Sequence, residues 1–209
     1  MTLSKSAKIY AGISAAIIWF ALILQFYLQL QNRTGSARSA AVDFFSYFTI
    51  LTNLLTAICC TSLLLHNTSS FKKFFSSASV QTAIAVYIFV VALVYNYVLR
   101  SQWNPQGWQR LADELLHVAN PILFILFWLL FTPKQSLRIK NTFAWLLYPF
   151  AYSLYTLLRG ALVHKYPYPF INADNIGYSR AFINTLILFL IFFFLSGLFI
   201  ILGKWFDRK

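Results

Sequence analysis

A chain of 209 residues that is 59% hydrophobic and only 11% charged, with a mean hydropathy of +0.65, is too apolar for a soluble globular domain. Its 22 Phe, 12 Tyr and 6 Trp exclude intrinsic disorder, which requires low hydrophobicity. The formal charge of +12 would suggest nucleic acid in a soluble protein; here the basic residues lie almost entirely between apolar runs and at the chain ends, where they report membrane topology, and no nucleic-acid partner is expected.

In chain order, six stretches approach the roughly 20 apolar residues that a membrane-spanning helix needs. They cover residues 9–30, 43–65, 78–99, 111–131, 142–164 and 179–202. The first follows Lys5 and Lys8 as a signal peptide would, but its apolar run exceeds a signal core and is expected to remain as an anchor. No Gly-rich linker or convincing repeat divides the chain. The expected fold is therefore all-α: a polytopic membrane protein, residues 1–209 forming a single domain of six transmembrane helices. Cys59 and Cys60 are adjacent inside the second stretch and read as packing residues rather than disulfide partners or metal ligands.

Orientation follows from the short connections. Lys5, Lys8, Lys72, Lys73, Lys134, Arg138, Lys140, Lys204, Arg208 and Lys209 fall on one side, against Arg33, Arg38, Arg100, Arg110, Lys165 and Arg180 on the other, a bias of ten to six. Both termini are expected to be cytoplasmic. Thr49 and His117 then lie at one depth, each roughly 9 Å below the outer boundary at about 1.5 Å per residue. Asn96, Arg159 and Asn184 occupy the same outer half.

Polar groups in hydrocarbon are costly and tend to mark function. In the second stretch Ser46, Thr49, Asn53 and Thr56 form one stripe, with Thr52 at its edge. The same pattern suits hydroxyls bonded back to the carbonyl four residues earlier, so packing and chemistry both remain open for Thr49. In the fourth, Asp113, Glu114, His117 and Asn120 form a second stripe, in which either carboxylate stands one turn before the imidazole and can orient it as a general base. The alternative is a solvated pair of acids at the helix entry. Arg159 either pairs with Asp113, Glu114 or Asp174, snorkels to the interface, or holds an anionic head group. In residues 165–172 two prolines forbid regular helix, and Tyr166, Tyr168 and Phe170 suit either a headgroup belt or a re-entrant cap. The chain lacks a nucleophile elbow, a P-loop, an HExxH motif and a GxGxxG turn, and no metal or cofactor is expected.

The run Phe45-Ser46-Tyr47-Phe48-Thr49-Ile50-Leu51-Thr52-Asn53-Leu54-Leu55, the pairs Leu116-His117 and Asn120-Pro121 leading to Phe131-Thr132-Pro133-Lys134, and Tyr168-Pro169-Phe170 resemble the androgen-induced-protein family of multi-span membrane proteins. The likeness runs in order from about residue 40 to 200 and is strongest to the small six-span bacterial members. Animal members hydrolyse fatty acid esters of hydroxy fatty acids with a membrane-embedded threonine and a histidine on another helix. The resemblance implies Thr49 as nucleophile and His117 as its base, with Val118 and Ala119 standing where animal members carry polar residues.

The expected activity is thus hydrolysis of lipid (fatty acyl) esters drawn from the bilayer. His117 would activate Thr49, and Asp113 or Glu114 would orient the imidazole. Asn53, Asn120, Asn96 and Asn184 are the candidate oxyanion donors, and Arg159, Thr52, Tyr152 and Tyr168 the candidate substrate contacts. The resemblance implies the bacterial cytoplasmic (inner) membrane and leaves the oligomeric state open. The rival reading is a lipid-binding protein or small-solute transporter that uses the same polar cavity without chemistry.

Overall fold

The computed structural model describes residues 3–66 and 69–207; Arg208 and Lys209, counted above for orientation, lie outside the described residues. Every regular element among the described residues is helical. Among the described residues four helices are long and apolar enough to cross a membrane: Lys5–Gln31, Ala78–Gln102, Gly107–Phe131 and Tyr178–Phe206. A bent pair, Ala37–Phe44 with Phe48–Leu64, makes a fifth if counted as one span. The sequence reading takes residues 1–209 as one bundle, while the backbone packs as two compact units, Met1–Leu137 with Gly203–Lys209 and Arg138–Leu202.

In the first unit α1 (Lys5–Gln31) starts where the Ser4 hydroxyl caps the Ala7 N–H at 3.1 Å. Its buried face is Ala7, Ala11, Ser14, Ala15, Ile18, Ala21 and Leu22, spaced three and four apart and mostly small, which lets α1 approach α3 closely. Ile9, Ile13, Phe20, Ile23 and Tyr27 remain exposed on the same helix. An apolar surface of that kind suits a lipid environment.

The second expected span is not one rod. The α2 helix (Ala37–Phe44) and α3 (Phe48–Leu64) meet at 75°. The bend has a local cause: the Ser46 hydroxyl donates to the Val42 carbonyl at 2.7 Å, the Ser46 N–H bonds the Asp43 carbonyl instead, and Tyr47 turns extended. Thr49 consequently stands in the first turn of α3 rather than six residues into a continuous helix.

After the short α4 (Ser70–Phe75), α5 (Ala78–Val94) runs into a π-turn at Tyr95–Leu99 and a 3-10 turn at Arg100–Gln102. The next span combines α6 (Gly107–Glu114), a π-turn at Leu115–Ala119 and α7 (Asn120–Phe131). Polar bonds lock α5 to α7 where the Trp128 indole donates to Thr82 at 2.9 Å and the Thr132 hydroxyl to Gln81 at 2.7 Å. Lys134, 1% exposed, caps the Leu129 carbonyl at 3.1 Å, pairs with Asp207 at 3.0 Å and lies over the Trp128 ring. A Cβ on Gly203 would come within 2.7 Å of the Lys134 side chain, so any larger residue there would have to displace it.

The second unit holds α8 (Asn141–Trp145), α9 (Leu147–Val163), α10 (Ala173–Ile176) and most of α11 (Tyr178–Phe206). The expected span 142–164 is broken at Leu146, which leaves 17 residues in α9. His164 ends α9 in the left-handed region (φ 55°), with its N–H on the Gly160 carbonyl at 2.8 Å. The two prolines of the following connection admit only a 3-10 turn at Pro169–Ile171, where the Tyr168 and Phe170 rings stack at 5.2 Å.

Candidate functional site

The polar stripes of the second and fourth expected spans meet inside the first unit. Asn53 and Asn120 are fully buried, as is Thr52, and Thr49, Asp113 and His117 are each less than a tenth exposed. The meeting point depends on the π-turn around His117. In that turn the Asn120 N–H bonds the Leu115 carbonyl five residues back. The Leu116 carbonyl would by the same pattern be served from residue 121, which is Pro121 and has no N–H. Asn53 supplies the missing donor from α3, at 3.2 Å, and with its other N–H holds the Thr49 carbonyl at 2.9 Å. One amide thus ties the Thr49 turn to the residue before His117. Asn53 Oδ1 in turn accepts from Asn120 at 2.8 Å.

The imidazole is held from two sides. Its Nδ1 lies 2.9 Å from the Asp113 backbone carbonyl, and because a carbonyl only accepts, Nδ1 carries the proton. In the neutral ring Nε2 is then the basic nitrogen, and it makes no hydrogen bond among the described residues. Tyr95, from the other π-turn, stacks on the ring at 3.8 Å and 11° and donates its hydroxyl to Asp113 Oδ2 at 2.9 Å.

The expected orienting acids therefore act differently from the sequence reading. The backbone carbonyl of Asp113 fixes the imidazole, while its carboxylate is 3.8 Å from Nδ1 and is engaged by Tyr95. Glu114 forms an ion pair with Arg100, whose guanidinium also reaches Asn96 Oδ1 at 2.6 Å and lies 5.9 Å from the Tyr95 ring centroid. Among the oxyanion candidates, Asn53 has both N–H groups committed to carbonyls and none to offer. Asn96 bonds back to the Ala92 carbonyl at 2.8 Å.

Asn184, Arg159, Tyr152 and Tyr168 belong to the second unit. Asn184 donates to the Phe170 carbonyl at 2.8 Å, and Arg159 to the Lys165 carbonyl at 3.0 Å. Tyr152 and Tyr168 are half-buried there, and His164 pairs with Asp174 at 3.0 Å.

Sequence reasoning missed Tyr95 and the part played by Pro121. The first had no readable signal, since its partner is 18 residues away across a turn. The second had part of one: a proline inside an apolar helix announces an orphan carbonyl one turn earlier, but only the π-turn moves that acceptor from residue 117 to Leu116. Among the described residues no group of three or more His, Cys, Asp or Glu is placed to hold a metal.

Fold and site together define an all-helical protein with several membrane-length helices and a buried polar node built around a histidine. No family model, curated protein or solved structure matches the chain.

Proposed function

We propose that this chain is a membrane-embedded hydrolase of lipid esters, with Thr49 as nucleophile and His117 as general base, related to the androgen-induced-protein family. The observation that carries the reading is the tautomer of His117. A histidine whose Nδ1–H is fixed on a carbonyl and whose Nε2 has no partner among the described residues is set up to accept a proton. The Asn53 amide links its turn to that of Thr49.

In the reaction Nε2 removes the Thr49 hydroxyl proton as Oγ attacks the ester carbonyl, and returns it to the leaving alcohol; an acyl-threonine ester remains for water to cleave. The first-turn position of Thr49 favours this step, because the positive end of the α3 dipole faces the charge that develops on the tetrahedral oxygen. That dipole replaces Asn53 as the candidate oxyanion stabiliser. The exposed apolar faces of the long helices suit a substrate that arrives from the bilayer.

The topology belongs to the same proposal. With the bent pair α2–α3 as one span and the 17 residues of α9 as another, at the short end of the roughly 17–25 that cross a bilayer, the chain has six spans. The basic bias puts both termini in the cytoplasm, and the bacterial character of the resemblance favours the inner membrane.

The test is a serine/threonine-directed fluorophosphonate probe applied to detergent-purified wild type, Thr49→Ala and His117→Ala, with peptide mapping. Labelling at Thr49 that disappears in both variants supports the reading. Wild type that is folded and unlabelled, and that turns over no acyl ester, refutes it in favour of lipid binding or transport without chemistry.

A further inference from the structure

The amide chain through the node has an unfinished end. Asn53 must present Nδ2 to the Thr49 and Leu116 carbonyls, since an amide oxygen turned toward two acceptors would be repelled by both. Its Oδ1 then faces Asn120, which must answer with Nδ2. The orientation of Asn120 is fixed by this sequence of bonds, and its own Oδ1 is left as a buried acceptor with no hydrogen-bond partner among the described residues. Flipping the amide offers no escape, because it would set two oxygens against each other across the 2.8 Å contact. A buried acceptor of this kind calls for a donor from outside the protein, and the smallest that fits is water.

The position of this acceptor matters. Asn120 closes the π-turn that carries His117, and through Asn53 its amide is tied to the turn of Thr49, so its free oxygen belongs to the same buried node as the base and the nucleophile. Asn120 is fully buried, so a water there is shielded from bulk solvent.

We propose that Asn120 Oδ1 holds the water that cleaves the acyl-enzyme, an inference that rests on the hydrolase reading above. One water hydrogen donates to Asn120 Oδ1 and the other to His117 Nε2. As the water oxygen bonds to the acyl carbon, its second proton passes to Nε2; when the C–Oγ bond to Thr49 breaks, that proton is delivered to Oγ. Threonine is regenerated and the fatty acid is released, with all atoms and electrons accounted for. The first half-reaction needs no such water. Loss of this water therefore slows deacylation more than acylation, which separates its effect from that of losing Thr49 or His117.

The experiment uses p-nitrophenyl decanoate with the full-length protein in detergent, following the p-nitrophenol burst, the steady rate and the intact mass. Asn120→Leu removes the acceptor at similar volume; Asn120→Asp, when protonated, donates to Asn53 and keeps an oxygen facing the water. The expected result for Asn120→Leu is a burst that persists while the steady rate falls by about 10²-fold relative to it, with a decanoyl adduct accumulating on Thr49. Asn120→Asp, whose carboxyl is kept neutral by burial at this position, is expected to restore the steady rate to within about threefold of wild type. A steady rate undiminished in a folded Asn120→Leu overturns the water site and leaves the hydrolase reading standing. Burst and steady rate lost together in Asn120→Leu, and not restored in Asn120→Asp, also overturn it, since Asn120 would then serve the node rather than deacylation. A wild type with neither burst nor turnover overturns both.

Discussion

The two compact units handle their polar side chains in opposite ways. In the first, Asn53, Asn120, Asp113, Tyr95 and His117 are buried and bond across three helical segments, so that each constrains the next. In the second, Asn184 and Arg159 reach nearby backbone carbonyls, and the His164–Asp174 pair is largely exposed on its histidine side. A polar residue in an apolar helix is thus a poor pointer to chemistry until its partner is known. Where the partner is a local carbonyl, the group is satisfied and has little left to do; where it is another side chain on another helix, the bond fixes geometry that a reaction can use.

Substitutions can break this contrast, beginning with the largest effect. Thr49→Ala and His117→Ala should each lower the acylation rate by about 10³-fold or more, read as loss of the p-nitrophenol burst, whereas Arg159→Gln and Asn184→Ala should stay within about threefold of wild type. Comparable losses in both units would erase the distinction. Next in size is Asn53→Leu, which strands the Leu116 carbonyl and the Asn120 amide in a buried site. It should cost about 2–4 kcal/mol in detergent unfolding, against about 1 kcal/mol for Asn184→Leu.

Pro121→Ala probes the π-turn directly. With an N–H restored at residue 121 the turn can relax toward regular helix and release the Leu116 carbonyl from Asn53, so activity should fall about tenfold while stability holds or rises. Equal activity with the turn gone would show that the distortion is not needed. Tyr95→Phe keeps the ring over His117 and loses only the bond to Asp113. A drop of about three- to tenfold in kcat is expected, with Tyr95→Leu clearly worse. The smallest effect belongs to the exposed ion pair of the second unit: His164→Ala should shift unfolding by less than about 0.5 kcal/mol.

Much of the first unit was legible in the chain. The stripes containing Thr49 and Asn53, and His117 and Asn120, are visible as polar residues at helical spacing in apolar surroundings, and they do come together. The back-bonding of Ser46 and Thr56 was also foreseeable, since hydroxyls in apolar helices reach the carbonyl four residues earlier. The acids were harder. Spacing puts Asp113 and Glu114 equally within a turn of His117, and only the positions of Tyr95 and Arg100 decide that one carboxylate is engaged by a phenol and the other by a guanidinium.

The sequence by itself determined helicity, membrane-scale length and the residues too polar to face lipid, because hydropathy and helical period are local properties that a run of neighbours carries. The tertiary structure decided three things. It set the bend that brings Thr49 to the start of α3, the π-turns that present Tyr95 and His117 to each other, and the amide chain that leaves Asn120 Oδ1 buried without a donor among the described residues. Each depends on which donor meets which acceptor through space. A buried polar group must find a partner, but composition and spacing do not say whether that partner lies one turn back or on another helix.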